Sequence, residues 1–342
     1  MLPGYAQTAD PGPALPKEPR AIIEAAAPFY DFTSPELKPW HLKATYQLYD
    51  EQGKPTEQGT YELWWASPKV YRSTWTRPGV GVSEWHTAEG TSMHKASESP
   101  LRYFERTMNL ILLFPLPSRS PLDAGRLKLE LEMVAVGSEK LACVRSSPKG
   151  EPNSKVSAPS SAVADSYCFD PSTLALRTTY SNSITKEFSQ IVKMQGRYLA
   201  RSFVISAGKQ KMFTISVEAA EGLNQNDPAL VPPGDAVLEH QAGSQSGSSG
   251  SDDVTMGELI KKVQPVYPFM ARTRHQQGTV ALAGVIGTDG RIHNLEVLAS
   301  PSQRLAHSAV DAVKRWEYRP YLLNGKSVEV DTIVIVNFDL VQ

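Results

Sequence analysis

Residues 41–217 are dominated by a hydrophobic repeat of period two. In 41–48, Leu42, Ala44, Tyr46 and Leu48 alternate with His41, Lys43, Thr45 and Gln47, the pattern of a strand with one wet face. Tyr61, Leu63 and Trp65 continue the alternation, as do Tyr71, Ser73 and Trp75, and Leu127, Leu129, Leu131 and Met133 against Lys128, Glu130 and Glu132. Further strands are expected near 174–180, 198–205 and 211–217. With short turns such as 50–54 and Pro78-Gly79 between them, eight or more strands form an antiparallel sheet that must curl or split. One helix interrupts the pattern. Pro100 suits a first helical position, and Leu101, Phe104, Met108, Ile111 and Leu112 share a face until Pro115, so this helix is expected to plug the concave side.

The pattern fails at both flanks of that region. Five prolines in the first twenty residues favour an extended leader, taken as 1–30, with the β-rich domain over 31–222. Gly4-Tyr5-Ala6 before Gln7 resembles the small-x-small end of a secretory signal, but no charged or apolar region precedes it. The expectation is a truncated signal peptide, beside the alternative of an ordinary Pro-rich leader. Residues 223–255 form a linker, stiffened upstream by Pro228, Pro232 and Pro233. Further along it is flexible, because eight of the ten residues in 242–251 are Gly or Ser.

Residues 256–342 change period. Val263-Gln264-Pro265-Val266-Tyr267-Pro268 is an extended entry, because a residue before proline is pushed out of the helical region. A short helix over 268–277, strands over 279–286 and 291–299 and an Asp289-Gly290 turn between the strands follow. Ser300-Pro301-Ser302-Gln303 reads as a capping box, and Leu305, Ala309, Ala312, Val313 and Trp316 form one helical stripe. After Asn324-Gly325 comes a last strand, with Val334, Val336 and Phe338 on one face. The fold class is α+β: a curved antiparallel sheet or open half-barrel with an inserted helix, then a three-stranded antiparallel sheet with two helices. Ile333 and Ile335 on the other face of the last strand are unusually apolar for solvent. They call for a cover, the module's own short helix being one alternative.

That succession, with Gly278-Thr279-Val280, Thr288-Asp289-Gly290-Arg291, Tyr318-Arg319-Pro320 and Asn324-Gly325-Lys326 in order, closely resembles the C-terminal domain of TonB-family energy transducers. The resemblance implies a periplasmic domain that grips an extended segment, the TonB box, of outer-membrane transporters by strand addition along its final strand. Carried onto this chain, it points to Gln264, Pro265, Tyr267 and Pro268, and to the backbone of Ile333, Val334, Ile335, Val336 and Asn337. In place of the family's membrane helix and long Pro-rich spacer stand the β-rich domain and the Gly/Ser tether. The β-rich domain resembles, in architecture only, the open barrel of LolA-type lipoprotein carriers. Trp64, Trp65, Trp75 and Trp85 are then a candidate pocket for a lipid or lipoprotein chain, with plain core packing as the alternative. A carrier acting through this domain is the second functional reading.

Charge and chemistry narrow the picture. With 35 Lys and Arg against 36 Asp and Glu the net charge is -1, so no global attraction to nucleic acid is expected. Residues 257–342 hold ten basic and eight acidic residues, leaving a mildly acidic remainder. The longest strongly apolar run, 110–114, is far short of the roughly 20 residues that cross a bilayer. Cys143 and Cys168 are candidates for one disulfide in an oxidising compartment, two buried thiols being the alternative. His86 and His94 near Glu84 and Glu89 are better read as loop histidines than as a metal cluster. No hydrolase, zinc-protease or nucleotide motif occurs, so the expectation is a protein that is not an enzyme, with no cofactor and no metal.

Overall fold

A computed structural model describes residues 15–96, 101–117, 127–137, 139–148, 165–181, 183–239, 254–255, 259–323 and 325–340. The first meander runs β1 (Trp40–Tyr49), β2 (Pro55–Ser67), β3 (Val70–Arg77), β4 (Val80–Thr87) and β5 (Gly90–Lys95). The second runs β6 (Leu127–Val136), β7 (Glu139–Pro148), β8 (Asp165–Phe169), β9 (Leu176–Ser181), β10 (Ile184–Met194), β11 (Arg197–Ala207) and β12 (Gln210–Gly222). Pairing of β1 with β12 fuses them into one antiparallel sheet. With β13 (Val237–Glu239) on β5, it counts 13 strands among the described residues.

The sequence alternation sorts the two faces. Trp40, Leu42, Ala44 and Tyr46 of β1, Tyr61, Leu63 and Trp65 of β2, and Phe203 and Ile205 of β11 all enter one core. Gly59, paired with Tyr46, must be glycine: a Cβ there would strike the Tyr46 ring and come within 2.7 Å of the Thr76 carbonyl. Three short helices fill this inner face: α1 (Pro19–Ala26), α2 (Tyr103–Arg106) and α3 (Met108–Leu113). The single helix expected after Pro100 is thus two. It breaks at Thr107, whose hydroxyl bonds back to the Tyr103 carbonyl (3.0 Å), while Glu105 and Asn109 are drawn to partners on the sheet.

Residues 223–239 do not behave as the upstream half of a free linker. They cross the outer face of the sheet as a strap: Leu230 is buried, the Trp85 indole N–H donates to the Ala229 carbonyl (2.9 Å), and β13 pairs with the β5 edge. Apolar strap residues and an unpaired edge together outweigh the stiffness that its prolines suggested.

Beyond β14 (Val254–Thr255) and β15 (Leu259–Lys261) lies the small module. It comprises α4 (Phe269–Thr273), β16 (Gly278–Ile286), β17 (Ile292–Ala299), α5 (Gln303–Val313), β18 (Glu317–Tyr318), β19 (Tyr321–Leu323), β20 (Lys326–Val328) and β21 (Val330–Phe338). Its main sheet has the order β17-β16-β21, and α5 covers one face through Leu305, Ala309 and Val313. The cap of α5 is Ser302, which accepts from the Leu305 N–H, two residues later than the capping-box reading; Ser300 instead donates to the Ser302 carbonyl. Asn324-Gly325 joins β19 to β20, a hairpin the sequence reading had merged with the approach to the last strand.

The other face of that sheet is covered by the large domain, not by the module's short helix. Ala281 and Ala299 are buried in the large domain's core, with Leu298, Ile333 and Ile335 packed on it. Two polar contacts flank this interface: Arg106 meets Asp331 of β21 at 3.0 Å, and the Tyr103 N–H donates to Glu296 of β17 at 2.9 Å. Helix α2 therefore reaches both outer strands of the module's sheet.

Candidate functional site

The candidate site is the free side of β21 together with the segment 263–268. Among the described residues β21 pairs only with β16, from Gly278–Phe338 to Ile286–Val330, so its other edge carries unpaired backbone donors and acceptors. Alternation divides its side chains. Val334, Val336 and Phe338 go under α5, whereas Asp331, Ile333 and Ile335 face the large domain, and Asn337 is exposed with its amide oxygen accepting from Thr279 (3.0 Å).

Segment 263–268 is held at both ends. The Trp316 indole N–H donates to the Val263 carbonyl (2.8 Å), and the Tyr267 hydroxyl donates to the Gln276 carbonyl (2.5 Å). Tyr267 also meets Phe338, the last residue of β21, edge to face at 5.4 Å. Tyr267 and the end of β21 are thus brought together, while Gln264 is exposed and Pro265 and Pro268 are half-buried. An open groove between this segment and α5 is lined by Val266, Arg304, His307 and Arg315, with Asp311 as its carboxylate. Val266 and Phe269 are each 75% exposed beside it. These apolar residues were missed, although each sits next to a proline of the segment.

The four clustered tryptophans do not line one pocket. Trp65 and Trp75 are on the inner face, Trp65 stacked on Trp40 and Trp75 against Tyr61. Trp64 and Trp85 are on the outer face with the Arg72 guanidinium between them, 4.5 and 4.7 Å from the two rings. Neighbours in sequence take opposite faces while register partners share one, so Trp64 and Trp85 meet through Arg72, which pairs with both, and a count of tryptophans cannot register this. The inner face is occupied by Phe104, Met108, Ile111 and Leu112. Burial, with the Glu84 carboxylate as a lesser cause, pushes the Tyr71 hydroxyl up to about 12.

His86 and His94 also separate. His86 lies 3.7 Å from Glu84, and His94 lies 3.5 Å from Asp235 of the strap. No set of three metal-ligating side chains assembles among the described residues. Cys143 and Cys168 face each other across β7 and β8 and are bonded. Asp289 in the β16–β17 turn is held below the usual carboxylate range by the Arg291 backbone N–H and then by His293.

Comparison with known proteins separates the two regions. Residues 263–340 match the family model of the Gram-negative bacterial TonB protein C-terminal region. Protein TonB of Pseudomonas aeruginosa is 35% identical over 88 residues, 25% of this chain and 25% of that protein. The chain thus spans about a quarter to a third of the length of the curated relatives it matches. The solution structure of the Pseudomonas aeruginosa TonB C-terminal domain aligns at 30% identity over 25% of this chain and 88% of that one, with a TM-score of 0.23. A LolA superfamily protein from Nitrosomonas europaea aligns over 62% of this chain and 97% of its own, at 10% identity and a TM-score of 0.37. Residues 263–340 are thus similar to the TonB C-terminal region, and in this chain they follow a large antiparallel β domain.

Proposed function

We propose that this protein acts in the periplasm as a non-enzymatic adaptor of envelope transport, its C-terminal module binding extended segments of outer-membrane transporters by strand addition along β21. The observation that carries this reading is the open edge of β21, backed on one face by α5 and lying beside the anchored segment 263–268. Backbone pairing supplies the affinity. Each bond contributes about 0.5 to 1.5 kcal/mol net, so five or six support micromolar binding at best and weaker binding once ordering costs are met, which suits transient contact. The residues assigned to the contact are Gln264, Pro265, Tyr267 and Pro268, with the backbone of Ile333 to Asn337.

The test is a titration of the isotope-labelled full chain with TonB-box peptides. Amide shifts concentrated over β21 and residues 264–268 are expected. Absence of shifts along Ile333 to Asn337 at millimolar peptide would overturn the reading.

A further inference from the structure

We infer that the large β domain is a built-in support for the β21 edge: docking of the module's sheet onto it pre-forms the strand, so that a peptide pairs more tightly with the docked chain than with the undocked one. The inference rests on the strand-addition reading and adds to it a role for the large domain.

The geometry separates the two contacts that β21 makes. Docking uses a face of the strand, through Asp331, Ile333 and Ile335, whereas pairing uses its edge. Docking therefore consumes none of the backbone groups a peptide needs. It also fixes the alternate residues that α5 leaves free, since Val334, Val336 and Phe338 are held from the other side. An edge strand packed on both faces has already lost the freedom that pairing would otherwise remove, and preorganisation of that kind appears as affinity.

The occupant's chemistry follows from the same alternation. Every second side chain of an added strand continues the row of Ile333 and Ile335, toward the large domain, so an extended segment with apolar residues at alternate positions fits. The face contact itself is small: two alanines, three partly buried aliphatic residues and two polar contacts. Because the two domains belong to one chain, even a weak contact between them stays populated.

Glu296 gives the discriminating variant, because it lies on β17, across the sheet from β21, and accepts from the Tyr103 N–H. In the full chain, Glu296→Lys and Arg106→Glu are each expected to weaken TonB-box peptide binding about 5- to 10-fold and to speed hydrogen exchange of β21 amides. Arg106→Glu combined with Asp331→Arg should restore binding to within about twofold. If the wild-type chain binds and Glu296→Lys binds equally or more tightly while β21 exchange accelerates, the support role is wrong and strand addition stands. If Glu296→Lys changes neither exchange nor affinity, docking through α2 is itself wrong. If the wild-type chain binds no such peptide, both readings fall together.

Discussion

Glu105 is fully buried on α2 and takes three donors: the Tyr46 hydroxyl, the Arg77 guanidinium at 3.0 Å and the Arg102 backbone N–H at 2.7 Å. Removing it takes a buried carboxylate from the largely buried Arg77, which also lies 3.4 Å from Glu57, and leaves the Tyr46 hydroxyl and the Arg102 N–H without this acceptor. Glu105→Ala is therefore expected to cost about 3 kcal/mol, read from the urea midpoint, because breaking one side of a buried ion pair and its hydrogen bonds outweighs the lost packing. A loss under about 1 kcal/mol would show that the other partners of Arg77 suffice without Glu105. Lys186 is the opposite case. It falls on the inner face between Thr179 and Ile205, and burial lowers the affinity of its amine for a proton. The unfolded chain then holds that proton more tightly, so stability rises with pH up to the ordinary lysine value of 10.5. Lys186→Met should raise the urea midpoint at neutral pH, with an advantage that shrinks as pH climbs toward that value; a constant gap contradicts the argument.

At the scale of elements, the strands were legible because a sheet with one buried face writes its register into alternate residues, as in residues 41–48 and 127–131, the alternation lapsing at the exposed Met133. The helix stripe from Leu305 to Trp316 was legible for the same reason at period 3.6. What escaped was set by partners far along the chain. The break at Thr107 combines the bond from its hydroxyl back to the Tyr103 carbonyl with Glu105 meeting Arg77 and Asn109 meeting Tyr61, and those last two partners lie outside the helix's own pattern. The bridge between Cys143 and Cys168 ties β7 to β8 and closes a loop with a sequence separation of 25. Its loss through Cys143→Ser with Cys168→Ser is expected to lower stability by roughly 3 kcal/mol, mainly by freeing the unfolded chain. An unchanged midpoint for the double variant, and none of the reductant sensitivity expected of the wild type, would remove the bridge from the stability account.

For the molecule as a whole, the candidate edge was legible from the residues of the last strand, and the cover over Ile333 and Ile335 was not. Their apolar character demanded a neighbour, but the one found lies more than a hundred residues away in sequence, with polar contacts separated by 193 and 225 positions. Local pattern carries no information at that range. The four tryptophans show the converse error, where closeness in sequence suggested a shared pocket and the pleat sent Trp64 and Trp85 away from Trp65 and Trp75. The strap over residues 223–239 has a bearing on reach. It is moored by three register pairs to β5, the indole hydrogen bond, the buried Leu230 and His94 beside Asp235, a small fraction of what holds the sheet. If it peels off, its seventeen residues join the 240–253 span and add up to about 58 Å of contour, at ~3.4 Å per residue. The chain thus stores spare length on the back of its own sheet, available to the module without unfolding either domain.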